Sequence, residues 1–93
     1  MNQENLIISL IKDNLINTRL VNGLDKLGLD ASNYSLNLSD TIFKLMEIDE
    51  EELFERYLGW CEEATKRDIF KHPELLEIYA TEIYRKLMEG KEL

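Results

Sequence analysis

Cys61 and His72 are the only cysteine and the only histidine in the chain, so they form its one nucleophile–imidazole pair. A thiol hydrolase needs an activated thiolate, a histidine within hydrogen-bond reach and usually a third group to orient that histidine. Cys61 falls in the middle of an apolar stripe with helical spacing, where a thiol is ordinary core packing. His72 stands just before Pro73, a position suited to a helix cap or a loop. One cysteine and one histidine cannot build a zinc site alone. Asp68 and His72 have i,i+4 spacing, but a helix break is expected close to them. A calcium loop starting at Asp30 would need Ser32, Tyr34 and Thr41 at its third, fifth and twelfth positions, with no glycine at the sixth and no bidentate glutamate. Neither GxxxxGK[ST] nor GxGxxG occurs, which excludes nucleotide binding by those routes. No catalytic, cofactor-binding or metal-ligating residue is therefore assigned, and the expectation is a protein that is not an enzyme.

The charge points to surfaces instead of sites. The chain has 93 residues with a formal net charge of −8. Residues 1–46 carry five acids and four bases, residues 47–63 eight acids and one base, and residues 64–93 six of each. The acidity is thus concentrated in one segment: Glu47, Asp49, Glu50, Glu51, Glu52 and Glu55, then Glu62 and Glu63. Acids in a first helical turn complement the helix macrodipole, worth roughly 0.3–1 kcal/mol each, which accounts for Glu50, Glu51 and Glu52. Glu55 and Glu63 lie further along, on a face shared with Glu52 and Gly59. A mid-helix glycine costs about 1 kcal/mol against alanine, so Gly59 suits a flat place where a partner approaches. That face, Glu52, Glu55, Gly59 and Glu63, is one candidate interaction surface, for a basic partner.

The elements that would carry these residues are helical. With four Gly and one Pro, there are too few chain-breakers for a small all-β fold. Residues 3–27 read as one long helix closed by Gly28 in a left-handed C′ conformation. Leu6, Leu10, Leu20, Leu24 and Leu27 lie along one seam, and Ile7, Ile8, Ile11 and Leu15 along a second. Lys12, Arg19 and Lys26 form a polar stripe. Residues 28–38 read as a loop, because Asp30, Ser32, Asn33, Ser35 and Asn37 favour local side-chain-to-backbone bonds; the alternation of Tyr34, Leu36 and Leu38 allows a short extended piece. Ser39 is the expected N-cap of a short helix over 40–47, with Leu38 and Phe43 as its hydrophobic staple. Asp49 is the expected cap of a longer helix over 50–67, with Glu52 completing a capping box and Ile48 and Leu53 as the staple. Pro73 opens a last helix over 73–89 that Gly90 ends. Its inner face is Leu76, Tyr79, Ala80, Ile83 and Leu87.

The expectation is one all-α domain over residues 1–93, a small bundle of about four helices. The apolar arc of its first helix is broader than a single neighbour needs. Its seam can be written as a coiled coil, with Leu10, Asn17 and Leu24 at a and Leu6, Asp13, Leu20 and Leu27 at d. An asparagine at a can set register and oligomer state. Self-association through Leu6, Leu10, Asn17, Leu20, Leu24 and Leu27 follows as a second candidate surface.

The functional expectation is therefore a small protein-interaction or assembly module. Its partner is a protein, with a second copy of the chain as the first candidate. An acidic chain is repelled by nucleic-acid phosphates and anionic membranes, so neither is expected as a direct partner. The N-terminus lacks a signal-peptide pattern and no apolar run approaches the roughly 18–20 residues that span a bilayer, so the expected location is cytoplasmic. A variant of the same idea is an acidic regulator that occupies a basic, nucleic-acid-binding partner.

In size, acidity and helix count the chain is similar to acyl carrier proteins. In that family a serine at the start of the second long helix, within a D-S-L motif, carries a phosphopantetheine arm. The resemblance implies a covalent carrier using Ser39, at an expected helix start. The flanking residues depart from the motif, reading Leu38-Ser39-Asp40, and Ser32 reads Ala31-Ser32-Asn33.

Overall fold

The computed structural model describes residues 3–29, 32–67 and 69–91, with only the backbone described over 32–37. Four helices follow one another: α1 (Gln3–Lys26), α2 (Ser32–Leu45), α3 (Glu51–Thr65) and α4 (Pro73–Lys91). No strand occurs among the described residues, so the chain is the all-α bundle that its periodicity predicts. The longest dimension of the molecule is 39 Å, close to the roughly 36 Å that a 24-residue helix spans at 1.5 Å per residue.

α1 is the central element and packs against all three other helices, while α3 also packs on α4. Its buried face is Ile7, Ile8, Ile11, Asn14, Leu15, Thr18 and Val21, the second of the two apolar seams. Against it lie Ile42, Phe43 and Met46 of α2, Leu53, Tyr57, Cys61 and Ala64 of α3, and Ala80, Ile83 and Leu87 of α4. Phe43 reaches α3 through edge-on contacts with Phe54 (5.0 Å between centroids) and Tyr57 (5.5 Å), geometry that aromatic quadrupoles favour.

α1 ends as the glycine predicts. Gly28 has φ +81°. Its N–H donates to the Asp25 carbonyl at 3.0 Å and that of Leu29 to the Leu24 carbonyl at 2.9 Å, the two bonds of a Schellman motif. α2 ends in the same way without a glycine. Glu47 holds φ +57°, its N–H donates to Lys44 at 3.1 Å, and Ile48 donates to Phe43 at 2.9 Å.

Four local expectations are corrected. Residues 32–38 are helix and not a loop or an extended piece, so the second helix is 14 residues long and Ser39 lies inside it instead of capping it. Serine and asparagine disfavour helix interiors by only a few tenths of a kcal/mol each. Packing of Leu38, Ile42, Phe43 and Met46 into the core outweighs that preference. Asp30 and Ala31 fall outside the described residues, so the calcium-loop start lies there.

The N-cap of α3 is Glu50 and not Asp49, and Glu50 makes no side-chain capping bond, so the expected Asp49 capping box is not formed. α3 stops at Thr65, two residues early. Lys66 and Arg67 donate back to Glu63 (3.2 Å) and Ala64 (3.1 Å) in tight turns, and Ile69 in the following link is fully buried. Burying Ile69 draws the chain off the helix path. Asp68 lies outside the described residues, and with it the Asp68–His72 pair.

Gly90 does not end the last helix, which continues to Lys91. A Cβ built on Gly90 would stand 2.7 Å from Cδ1 of Leu53. The glycine is therefore a point of close approach between α4 and α3, and carrying no side chain it lets the helices meet there.

Candidate functional site

The residues with reactive side chains are structural. Asn14 of α1 donates from its amide to Oγ of Ser39 (2.8 Å) and to the hydroxyl of Tyr57 (2.6 Å). Thr18 donates to the Asn14 carbonyl at 2.8 Å, and Tyr57 is hydrogen-bonded to Cys61. Asn14, Ser39 and Tyr57 are all fully buried. This network ties α1, α2 and α3 together through their polar atoms, and among the described residues no buried side-chain nitrogen or oxygen is left without a partner. Burial pushes the Tyr57 phenol well above its usual range, with Cys61 adding to the effect and Asn14 opposing it. Burial likewise pushes the Cys61 thiol up to about 12, so it is protonated and inert near neutrality.

Two readings fall on this geometry. A carrier serine must project into solvent for an arm to be attached. Ser39 is 0% exposed, sits in mid-helix and accepts a hydrogen bond from Asn14, so the acyl-carrier alternative is overturned. Cys61 and His72 are not joined into a site. Cys61 is buried within α3, whereas His72 is exposed before α4, where its carbonyl accepts from Leu75 at 2.9 Å and its Nδ1 stands 3.7 Å from Glu74. Among the described residues no group of three or more His, Cys, Asp or Glu side chains is placed to hold a metal ion. No helix of the described residues is long and apolar enough to cross a membrane.

The surface of α1 is the informative one. Leu6, Ile16, Leu20 and Leu27 are exposed, Leu20 at 56% and Leu27 at 76%. Leu10 of the expected seam is drawn partly into the core, and Asn17 and Leu24 are half-buried at its edge. The strip that the fold leaves open runs through Ile16, Leu20, Gly23 and Leu27, with spacings of four, three and four. Leu24 and Phe70 flank it and complete an apolar groove. The guanidinium of Arg19 lies over the Phe70 ring at 4.5 Å, forming one rim. Composition and the wheel pattern located the leucines, but not Ile16, Gly23 or Phe70. Ile16 and Gly23 enter only once the core has claimed the opposite side of α1, and Phe70 only once the link after α3 is placed.

Gly23 adds a second feature. It is exposed in mid-helix, and a Cβ built on it meets nothing within 4 Å. Glycine there costs roughly 1 kcal/mol of helix stability, and no neighbour within the chain requires it. Gly59 on α3 is open in the same sense. Glu52, Glu55 and Glu63 are exposed beside it, with Glu52 paired to Arg56 at 3.0 Å and Glu63 to Lys66 at 3.4 Å. The two candidate surfaces therefore both face solvent.

Compared with known protein families, curated proteins and solved structures, the chain matches none.

Proposed function

We propose that the protein is a small, non-enzymatic assembly module that self-associates through the exposed face of α1. The observation that carries this reading is the apolar strip of Ile16, Leu20 and Leu27, exposed at 46%, 56% and 76% and rimmed by charged residues. Contiguous apolar surface of this kind on a small chain marks a protein-interaction site. Charge favours a second copy as the occupant. The whole chain carries −8, yet α1 holds three acids (Glu4, Asp13, Asp25) and three bases (Lys12, Arg19, Lys26). It is therefore the face along which two such acidic molecules can approach without opposing their charge.

The test is sedimentation equilibrium of the protein and of Leu20→Glu. The expected result is a dimer that the substitution converts to a folded monomer of unchanged helicity. A monomeric parent protein, or a Leu20→Glu chain that fails to fold, overturns the reading. The exposed Glu52, Glu55, Gly59 and Glu63 face supports a second role, docking of a basic protein segment. In that role the module acts as an acidic regulator of a nucleic-acid-binding partner.

A further inference from the structure

We infer that the two copies pair antiparallel along α1, with Leu20 of each seated over Gly23 of the other; the inference rests on the self-association proposed above. Ile16, Leu20, Gly23 and Leu27 read the same way in both directions. Turned end for end about a two-fold axis between residues 20 and 23, the strip sets Ile16 against the second copy's Leu27 and Leu20 against its Gly23, each twice. A large residue then meets a notch at both central positions, and the apolar ends cover one another. Such an interface is isologous and closes at two subunits.

Gly23 supplies an observation independent of the exposed leucines. Nothing within the chain comes near the space its missing Cβ would fill, so no internal packing requires a glycine there. A side chain arriving from outside does. The parallel arrangement uses the same surface poorly. In register, it stacks Gly23 on Gly23 and leaves a void, and it brings Asp13, exposed one turn before Ile16, against its own copy. Like charges directly opposed across a helix pair disfavour it. The antiparallel arrangement carries Asp13 beyond Leu27 of the second copy, to the edge of the contact. Arg19 is turned onto Phe70 at 4.5 Å and so is drawn to the rim of the groove.

The orientation is read directly from a distance. Ser9 is exposed and outside the apolar strip, and Cys61 is buried, so Ser9→Cys carries a single spin label without touching the contact. For the antiparallel pair the two labels lie 25 residues apart along the helix direction, about 37 Å at 1.5 Å per residue. A parallel pair holds them within roughly 20 Å, the width of two adjacent helices of about 10–12 Å each. A dipolar electron-resonance distance near 37–40 Å supports the inference. A dimer with labels inside about 20 Å overturns the orientation and leaves self-association standing. A monomer at all concentrations overturns both. Gly23→Leu in the full chain provides the second arm, because it fills the notch on an open surface of the monomer. It is expected to weaken dimerisation at least tenfold while the helix content stays the same, and unchanged dimerisation overturns the seating of Leu20 on Gly23.

Discussion

The amide of Asn14 donates to the hydroxyl of Tyr57 at 2.6 Å across the α1–α3 interface, with both side chains fully buried. The same amide also reaches Ser39 of α2 at 2.8 Å, so one side chain on the central helix sets the register of two others. A buried polar group costs about 1–3 kcal/mol when its partner is removed. Asn14→Leu is therefore expected to destabilise the fold by about 2–4 kcal/mol, the sum of two such losses. Tyr57→Phe, which keeps the ring and its contact with Phe43, is expected to cost about 1 kcal/mol. Urea unfolding of both single variants and the double variant checks this. A coupling energy near zero in the cycle would show that the bond does not hold the helices together.

Stability is expected to fall in alkali. The folded state holds the Cys61 thiol up at about 12, chiefly by burial, and the Tyr57 phenol higher still for the same reason. Both groups are neutral acids whose ionisation the fold resists. Above about pH 9 the unfolded chain releases the cysteine proton, and from about pH 10 the tyrosine proton, while the folded chain keeps both. The stabilisation is complete below pH 9 and lost as pH rises, by up to about 1.4 kcal/mol per pH unit for each group. Unfolding measured between pH 8 and 11 should show this slope, and Cys61→Ala should remove its onset near pH 9.

Glu47 is held at φ +57° in the turn that ends α2, where a side chain is strained by roughly 1–2 kcal/mol. Glu47→Gly is expected to raise stability by about 0.5–1 kcal/mol, the relief being partly offset by the freedom glycine adds to the unfolded chain. A loss of stability in thermal melts would show that the Glu47 side chain is engaged in the fold.

The acidic face of α3 should tolerate change. Reversing Glu55 and Glu63 to Lys, both exposed, is expected to leave stability within about 1 kcal/mol. Gly59→Ala should stabilise α3 by roughly 0.5–1 kcal/mol, because its Cβ meets open space. Gly90→Ala should gain less or lose, since the new methyl group must displace Leu53. If Gly59→Ala and Gly90→Ala behave alike in calorimetry, the close α4–α3 contact at Gly90 does not restrain the helices.

The sequence alone determines the class, the number of helices and most of the core. A hydrophobic period near 3.6 identifies α1, α3 and α4, because each residue's side of a helix depends only on its position along the chain. Gly28 and Pro73 mark boundaries through their own backbone preferences, and the charge segregation can be counted. The tertiary structure decided what those local rules leave balanced. Residues 32–38 are helical because burial of Ile42, Phe43 and Met46 outweighs weak preferences of serine and asparagine. Gly90 is a contact and not a stop because Leu53 lies against it. Ser39 turned from an apparent cap into a buried partner of Asn14, a residue 25 positions away. The choice between the two apolar seams of α1 was tertiary as well. Only when Ile7, Ile11 and Leu15 face the other helices do Ile16, Leu20, Gly23 and Leu27 become the face left open.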